Sequence, residues 1–312
     1  MLPPGAGWWR EGPALPIIGI DWGSSGFRAY RLAEGGAIRE RRTAASGIAS
    51  LTPTDYPAVL HQQIGDWLHE MPDAAVLLSG MVGSRQGWRE AAYAECPAGP
   101  ADLAAGLCPV DLGDGRLGHI VPGLSCRRAD GTPDVMRGEE TQIIGLDLPP
   151  DATLCMPGTH SKHVLVSNGR IAGFATAMTG EVFALLKSHG LIAAMLDPAA
   201  GEDLDVAAFE DGLALSARPG GLLQHLFSVR TRRLFNELSG GAAAHYLSGI
   251  LIGHELRATA WAGRVVIVGT GGLAMRYRKA FAFLGLDADV APEDAAATGL
   301  YRLGRLTARR TP

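Results

Sequence analysis

The sequence predicts an α/β protein of two domains, and three observations carry that reading. The chain of 312 residues is long enough to bury two cores of ordinary size. It opens on a strand–helix–strand pattern. A strand, polar tip, strand unit then occurs twice, with Asp21 in the first tip and Gly158 in the second about 137 positions apart. The expected organisation is a loose extension over 1–16, a first domain over 17–152 and a second over 153–312, the last helix packing back on the first domain. Apolar residues at 47%, charged residues at 19% and 42 glycines fit a globular protein rich in tight turns.

The composition also excludes some classes. A net charge of −4 and a pI near 6.1 advertise neither nucleic acid nor an anionic membrane as partner. No run approaches the roughly 20 apolar residues of a membrane span. The Pro- and Gly-rich opening lacks the apolar core of a signal peptide. Cys96, Cys108, Cys126 and Cys155 show no C-x-x-C pairing, so free thiols in the cytoplasm are expected. Oligomeric state is left open, a homodimer included.

Taken in order, Ile17, Ile18 and Ile20 read as a short core strand, with Phe27, Ala29, Tyr30 and Leu32 as its hairpin partner. The tip between them holds Asp21, Gly23, Ser24 and Ser25. Small residues let backbone N–H groups approach a ligand, hydroxyls add donors, and a strand-end Asp can hold a metal. That set suits a polyphosphate with Mg2+, although an ordinary Gly-rich turn would look the same. Pro57–Met71 has helical spacing at Val59, Leu60, Ile64, Trp67 and Leu68, and "AAVLLSGMVG" is a buried strand ending at Ser79-Gly80. Ser84–Gly131 reads as irregular, a region where loops build substrate pockets. "EETQIIGLDL" is a helix opening at Glu139 or Glu140.

The segment "ATLCMPGTHSKHVLVSNGRIAGFATAMTG" repeats the grammar as strand, tip, strand, Asn-Gly turn, strand. Thr179–Leu196, Asp203–Leu215, Leu222–Asn236 and Gly241–Trp261 read as helices. "VVIVGTGGLAMRYRKAF" supplies a third glycine-tipped strand, with Gly269, Gly271 and Gly272, and a helix after it. No G-x-x-x-x-G-K-[ST] loop occurs. Gly269–Ala274 fits a dinucleotide fingerprint, with Asp287 and Asp289 beyond it, so an NAD-dependent oxidoreductase is the alternative; too little chain follows for the second half of such a sheet.

Three glycine-tipped strands in this order and spacing resemble the actin and sugar kinase superfamily. Within it, "IDWGSS", "SGMVGS", "VPGL", "VMRGEETQIIG", "MPGTHSKHV", "MTGE" and "YLSGILIGHE" resemble the 2-dehydro-3-deoxygalactonokinase family, over about Ile17 to Arg305. The resemblance implies a two-domain actin-like ATPase fold with ATP in the cleft and Mg2+ as cofactor. It implies ATP-dependent phosphorylation of 2-dehydro-3-deoxy-D-galactonate at the 6-hydroxyl, a kinase for another sugar or sugar acid being the nearer alternative. Asp21 would orient Mg2+, and Gly23, Ser24 and Ser25 would cradle phosphate. Gly158, Thr159, His160 and Lys162 would face the γ-phosphate, and Gly269, Gly271 and Gly272 the adenosine. Glu140, with Glu139 second, takes the slot of the catalytic base, where the superfamily usually has Asp; a helix-dipole role fits either glutamate as well. The substrate carboxylate calls for Arg85 or Arg137, with Ser84, Trp88 and Tyr93 shaping the pocket. His160 and Trp88 fit ordinary packing too, and Glu181 fits sugar binding, metal binding or a helix cap.

Overall fold

The computed structural model describes residues 16–197 and 203–307, so the expected extension over 1–16 lies outside the described residues apart from Pro16. The chain divides into two compact units: the first takes the chain up to Asp151, Leu165–Phe174 and the segment from Pro292 on, and the second takes Ala152–Val164 and Ala175–Ala291.

In the first unit the apolar opening becomes β1 (Ile17–Trp22), followed by β2 (Phe27–Leu32), β3 (Ile38–Ala44), α1 (Tyr56–Glu70) and β4 (Ala75–Ser79). β1 pairs antiparallel with β2 and parallel with β4, with Asp21 opposite Ser79. Lying inside the sheet with covered faces, β1 and β4 read as near-continuous apolar runs, as central parallel strands do. Trp22, Phe27, Tyr56, Leu60, Ile64 and Trp67 fill the core against them.

The stretch read as irregular is more ordered than expected. It holds β5 (Tyr93–Glu95), α2 (Pro100–Ala105), β6 (Cys108–Asp111), β7 (Leu117–Ile120) and β8 (Gly123–Arg127), and β9 (Pro133–Met136) follows. These strands are three to five residues long, too short for a period-2 pattern to register. β7 and β6 complete a six-stranded sheet in the order β3-β2-β1-β4-β7-β6, and β5-β8-β9 make a small second sheet. The helix α3 (Glu139–Ile144) starts directly beyond β9.

The second unit is built on β10 (Ala152–Met156), β11 (Ser161–Ser167) and β12 (Arg170–Ala177). The single helix expected over Thr179–Leu196 breaks into α4 (Thr179–Ser188) and α5 (Gly190–Ala193), because Gly190 sits at φ +76°. Next come α6 (Val206–Leu215), α7 (Gly221–Leu234), α8 (Gly240–Arg257), β13 (Val265–Ile267), α9 (Gly271–Phe283) and β14 (Ala288–Val290). Asp205 and Ser239 cap α6 and α8 by accepting the N–H groups of Ala208 and Ala242. α6 and α8 pack through glycines: a Cβ at Gly249 would lie 2.0 Å from the Phe209 carbonyl oxygen.

The five-stranded sheet runs β12-β11-β10-β13-β14, and β13 pairs parallel with β14 at its edge. Gly269–Ala274 therefore follows a strand with a single neighbour beyond it, and the half-sheet a dinucleotide fold requires is absent among the described residues. α10 (Ala295–Thr307) belongs to the first unit and packs on α3 and β1. No described helix is long and apolar enough to cross a membrane, and all four cysteines are free thiols.

Candidate active site

The first unit gathers its polar residues at the ends of β1 and β4. Gly23 N–H bonds the Gly26 carbonyl and closes the tip, while Ile48 and Ala49 N–H groups bond the carbonyls of Gly23 and Ser24. That brace leaves Ser24 and Ser25 exposed on a fixed turn. Asp21 sits beside it, its side chain 18% exposed and 3.6 Å from Arg28. Burial raises the Asp21 pKa and Arg28 partly opposes the shift. Gly80, at φ +91°, brings the end of β4 against this carboxylate: a Cβ there would lie 3.3 Å from Asp21 Oδ1 and 2.8 Å from the Trp22 carbonyl oxygen. A Cβ at Gly138 would in turn lie 3.1 Å from Gly80 Cα. Two glycines, Gly80 and Gly138, thus set the head of α3 beside Asp21.

The two glutamates at that head differ. Glu140 is fully buried, its Oε2 accepting from Gly138 N–H at 2.7 Å and its Oε1 from Thr141 Oγ1 at 3.0 Å. Desolvation, with the Glu139 charge adding to it, pushes its pKa up to about 8. Glu139 is half-buried and accepts from Arg137 N–H at 3.0 Å.

Arg137 and Arg85 differ as sharply. The Arg137 side chain is buried, stacks 4.4 Å over the Tyr93 ring and donates from Nη2 to the Ala91 carbonyl at 2.7 Å. Its Nε and Nη1, and the hydroxyl of buried Ser84, make no hydrogen bond. A Cβ on Gly83, the residue before Ser84, would lie 3.0 Å from Arg137 Nη1, so the backbone leading into Ser84 lies against this guanidinium. Arg85 points to solvent, 87% exposed, 3.6 Å from Glu90. Trp88 stacks on Tyr56, with 5.6 Å between centroids, and meets Trp22 edge-on, which makes it part of the core wall.

In the second unit Gly158, Thr159 and His160 form the tip between β10 and β11, with Thr159 and His160 exposed. Glu181 binds the tip twice, through its N–H to the Thr159 carbonyl at 2.9 Å and its carboxylate to His160 Nε2 at 2.5 Å. Gly180 lets α4 approach, since a Cβ there would lie 2.3 Å from the Gly158 carbonyl oxygen. Lys162 is in β11 and buried, donating to Thr176 Oγ1 at 2.9 Å. Gly271 and Gly272 open α9 with nothing near their missing side chains.

A cavity of about 400 Å³ lies within this unit, bordered by Gly158, Gly180, Phe183, Lys187, Gly272 and Tyr277 among others. His245, Ser248, Leu251 and Ile252 of α8, and Arg276 of α9, also line it. That size suits a small organic ligand. Three glycine backbones, apolar walls and the cations Lys187 and Arg276 fit a phosphorylated one. The lining residues of α4 and α8 carried no assigned role in the sequence; the signals there were the "MTGE" block, of which Glu181 alone was given a role, and the "YLSGILIGHE" block, whose buried residues face all round the helix.

The sequence matches the 2-keto-3-deoxy-galactonokinase family over residues 21–303. It is 36% identical over 286 residues to the probable 2-dehydro-3-deoxygalactonokinase of Rhizobium meliloti (strain 1021), covering 89% of this chain and 92% of that protein. It is 37% identical over 284 residues to the 2-dehydro-3-deoxygalactonokinase of Escherichia coli (strain K12), covering 89% and 94%. A crystal structure of a Sinorhizobium meliloti protein assigned as a 2-dehydro-3-deoxygalactonokinase superposes with a TM-score of 0.83 at 34% identity, covering 93% of this chain and 98% of that one. The architecture is the two-domain actin-like ATPase fold. With the family matched across nearly the whole chain and the acid pair standing at the head of α3, the protein belongs to the 2-keto-3-deoxy-galactonokinase family.

Proposed function

We propose that the protein transfers the γ-phosphoryl group of ATP to the 6-hydroxyl of 2-dehydro-3-deoxy-D-galactonate, giving 2-dehydro-3-deoxy-6-phosphogalactonate. The observation that carries the reading is the family match over 21–303, a span that includes both tips and the acid pair. The second unit offers the nucleotide its glycine-lined cavity and the Thr159-His160 tip; the first offers the Ser24-Ser25 turn. Asp21, a lone carboxylate beside hydroxyls and backbone donors, fits Mg2+, an ion that keeps several waters and takes one or two carboxylates. When bound there, the ion neutralises charge on the phosphoryl oxygens. The same reading makes the protein a cytoplasmic enzyme of galactonate catabolism.

Glu139 is the base. It is the glutamate whose carboxylate reaches solvent, and a general base must touch the hydroxyl it deprotonates. Glu140, with a pKa near 8, holds its proton at neutral pH and is enclosed by Gly138 and Thr141, so it anchors the head of the helix. Burial thus reverses the order of preference read from the sequence. As the sugar oxygen attacks the γ-phosphorus, Glu139 takes its proton and ADP leaves. At the other end of the substrate, Arg137 and Ser84 supply unpaired donors for the carboxylate, whereas Arg85 spends its charge in solvent.

An ADP-release assay across keto-deoxy sugar acids and neutral aldoses tests the reading. The highest kcat/KM is expected for 2-dehydro-3-deoxy-D-galactonate, with neutral aldoses lower by about a hundredfold or more, because they leave buried donors unpaired. A preference for a neutral aldose, or no ADP release with any acid, would overturn it.

A further inference from the structure

The second unit buries a carboxylate, an imidazole, a thiol and a phenol in one cluster behind the cavity. Glu255 of α8, its side chain 1% exposed, accepts from His163 Nε2 at 2.7 Å and from the Tyr277 hydroxyl at 2.6 Å. Tyr277 also lies 2.9 Å from Ser161 Oγ, and His163 Nδ1 lies 2.7 Å from Thr259 Oγ1. One proton arrangement satisfies every bond: Nε2–H and the phenol donate to Glu255, Ser161 donates to the phenol oxygen and Thr259 to Nδ1. Burial and the Glu255 charge push the Tyr277 phenol well up, which keeps its proton in place as that donor. A buried carboxylate is tolerated only when its oxygens are met in this way.

Two members of this network border the candidate nucleotide site. Tyr277 lines the cavity, and Ser161 opens β11 one residue after His160 of the tip. We propose that Glu255 is a positioning residue for the nucleotide: by fixing Tyr277 and Ser161 it sets the cavity wall and the root of the 158–160 tip in one geometry. The inference rests on the reading of this cavity as the nucleotide site. Cys155 brings its sulfur within 4.8 Å of the same His163 and Glu255 ligand atoms, a grouping that could hold a metal. The 2.7 Å between Nε2 and Oε1 is a hydrogen bond, shorter than the roughly 3.3 Å that separates two ligands on a tetrahedral zinc at 2.0–2.1 Å.

The test uses Tyr277→Phe, which keeps the ring and removes the hydroxyl, and Glu255→Gln, which keeps the shape and removes the charge. Calorimetry with Mg·ATP alone is expected to show affinity weakened about five- to tenfold in both, with KM for the sugar acid within twofold of wild type and Tm lowered by a few degrees as buried groups lose a partner. Because ATP binding is measured without the acid, a wild type that binds ATP yet leaves the acid unphosphorylated sinks the proposed reaction and spares this inference. Variants that bind ATP as the wild type does would overturn it. So would losses shared equally by ATP affinity, KM for the acid and Tm, the mark of a purely structural role, and so would stoichiometric zinc in the purified protein.

Discussion

Glu139 and Glu140 stand one peptide apart at the head of α3, and burial separates them: Glu140 is enclosed, Glu139 half-buried. Glu139→Gln is expected to lower kcat by about 10²–10⁴ with ATP affinity kept, the scale of a lost general base. Glu140→Gln is expected to keep kcat within tenfold and to show itself in stability. The native state holds the Glu140 proton more tightly than the unfolded chain does. Its stabilising contribution is therefore complete below the ordinary value of 4.5 and is lost as pH rises to about 8. Melting curves from pH 5 to 8 should show the wild type losing Tm relative to Glu140→Gln; a constant gap would contradict the burial argument. The sequence showed an acid pair at the head of a helix, yet it could not rank the two, since burial depends on what packs over a six-residue helix. Arg85 and Arg137 were ambiguous for the same reason: nothing local distinguishes a solvent-facing arginine from one laid on Tyr93.

The helix α3 owes its position to α10. A Cβ at Gly145 would lie 1.8 Å from the Ala295 carbonyl oxygen, and one at Gly299 would lie 1.8 Å from that of Thr141. Arg302 then closes the far end of α3, donating to the carbonyls of Ile144 and Leu146 at 2.8 and 2.9 Å. Gly299→Ala must push the helices apart at about 1–3 kcal/mol, lowering Tm by roughly 3–10 °C. It should lower kcat too, because α3 carries the acid pair. Unchanged melting with full activity would show that the contact is slack. β1, β2, α1, β4 and α8 were legible because long apolar periodicity announces them. The contact of α3 with α10 was not, because an absent side chain leaves no periodic mark. The short strands between Ser84 and Gly131 were missed because each spans too few residues to alternate visibly.

At the scale of the molecule, each unit has its own core and its own candidate site residues: Asp21, the acid pair and Arg137 in the first, the 158–160 tip and the cavity in the second. The glycine tips were legible because runs of small residues at the ends of apolar strands stand out in the sequence. The cavity wall from α4 and α8 was not, since its residues are far apart in sequence and ordinary in type. The central claim is a phosphoryl transfer to a primary hydroxyl, and the most direct measurement is the phosphorus NMR spectrum of the product formed from ATP and 2-dehydro-3-deoxy-D-galactonate. The account predicts a monoester signal split by two methylene protons, placing phosphate on carbon 6, with ADP formed in equal amount. Coupling to a single proton, or inorganic phosphate as the only product, would contradict it.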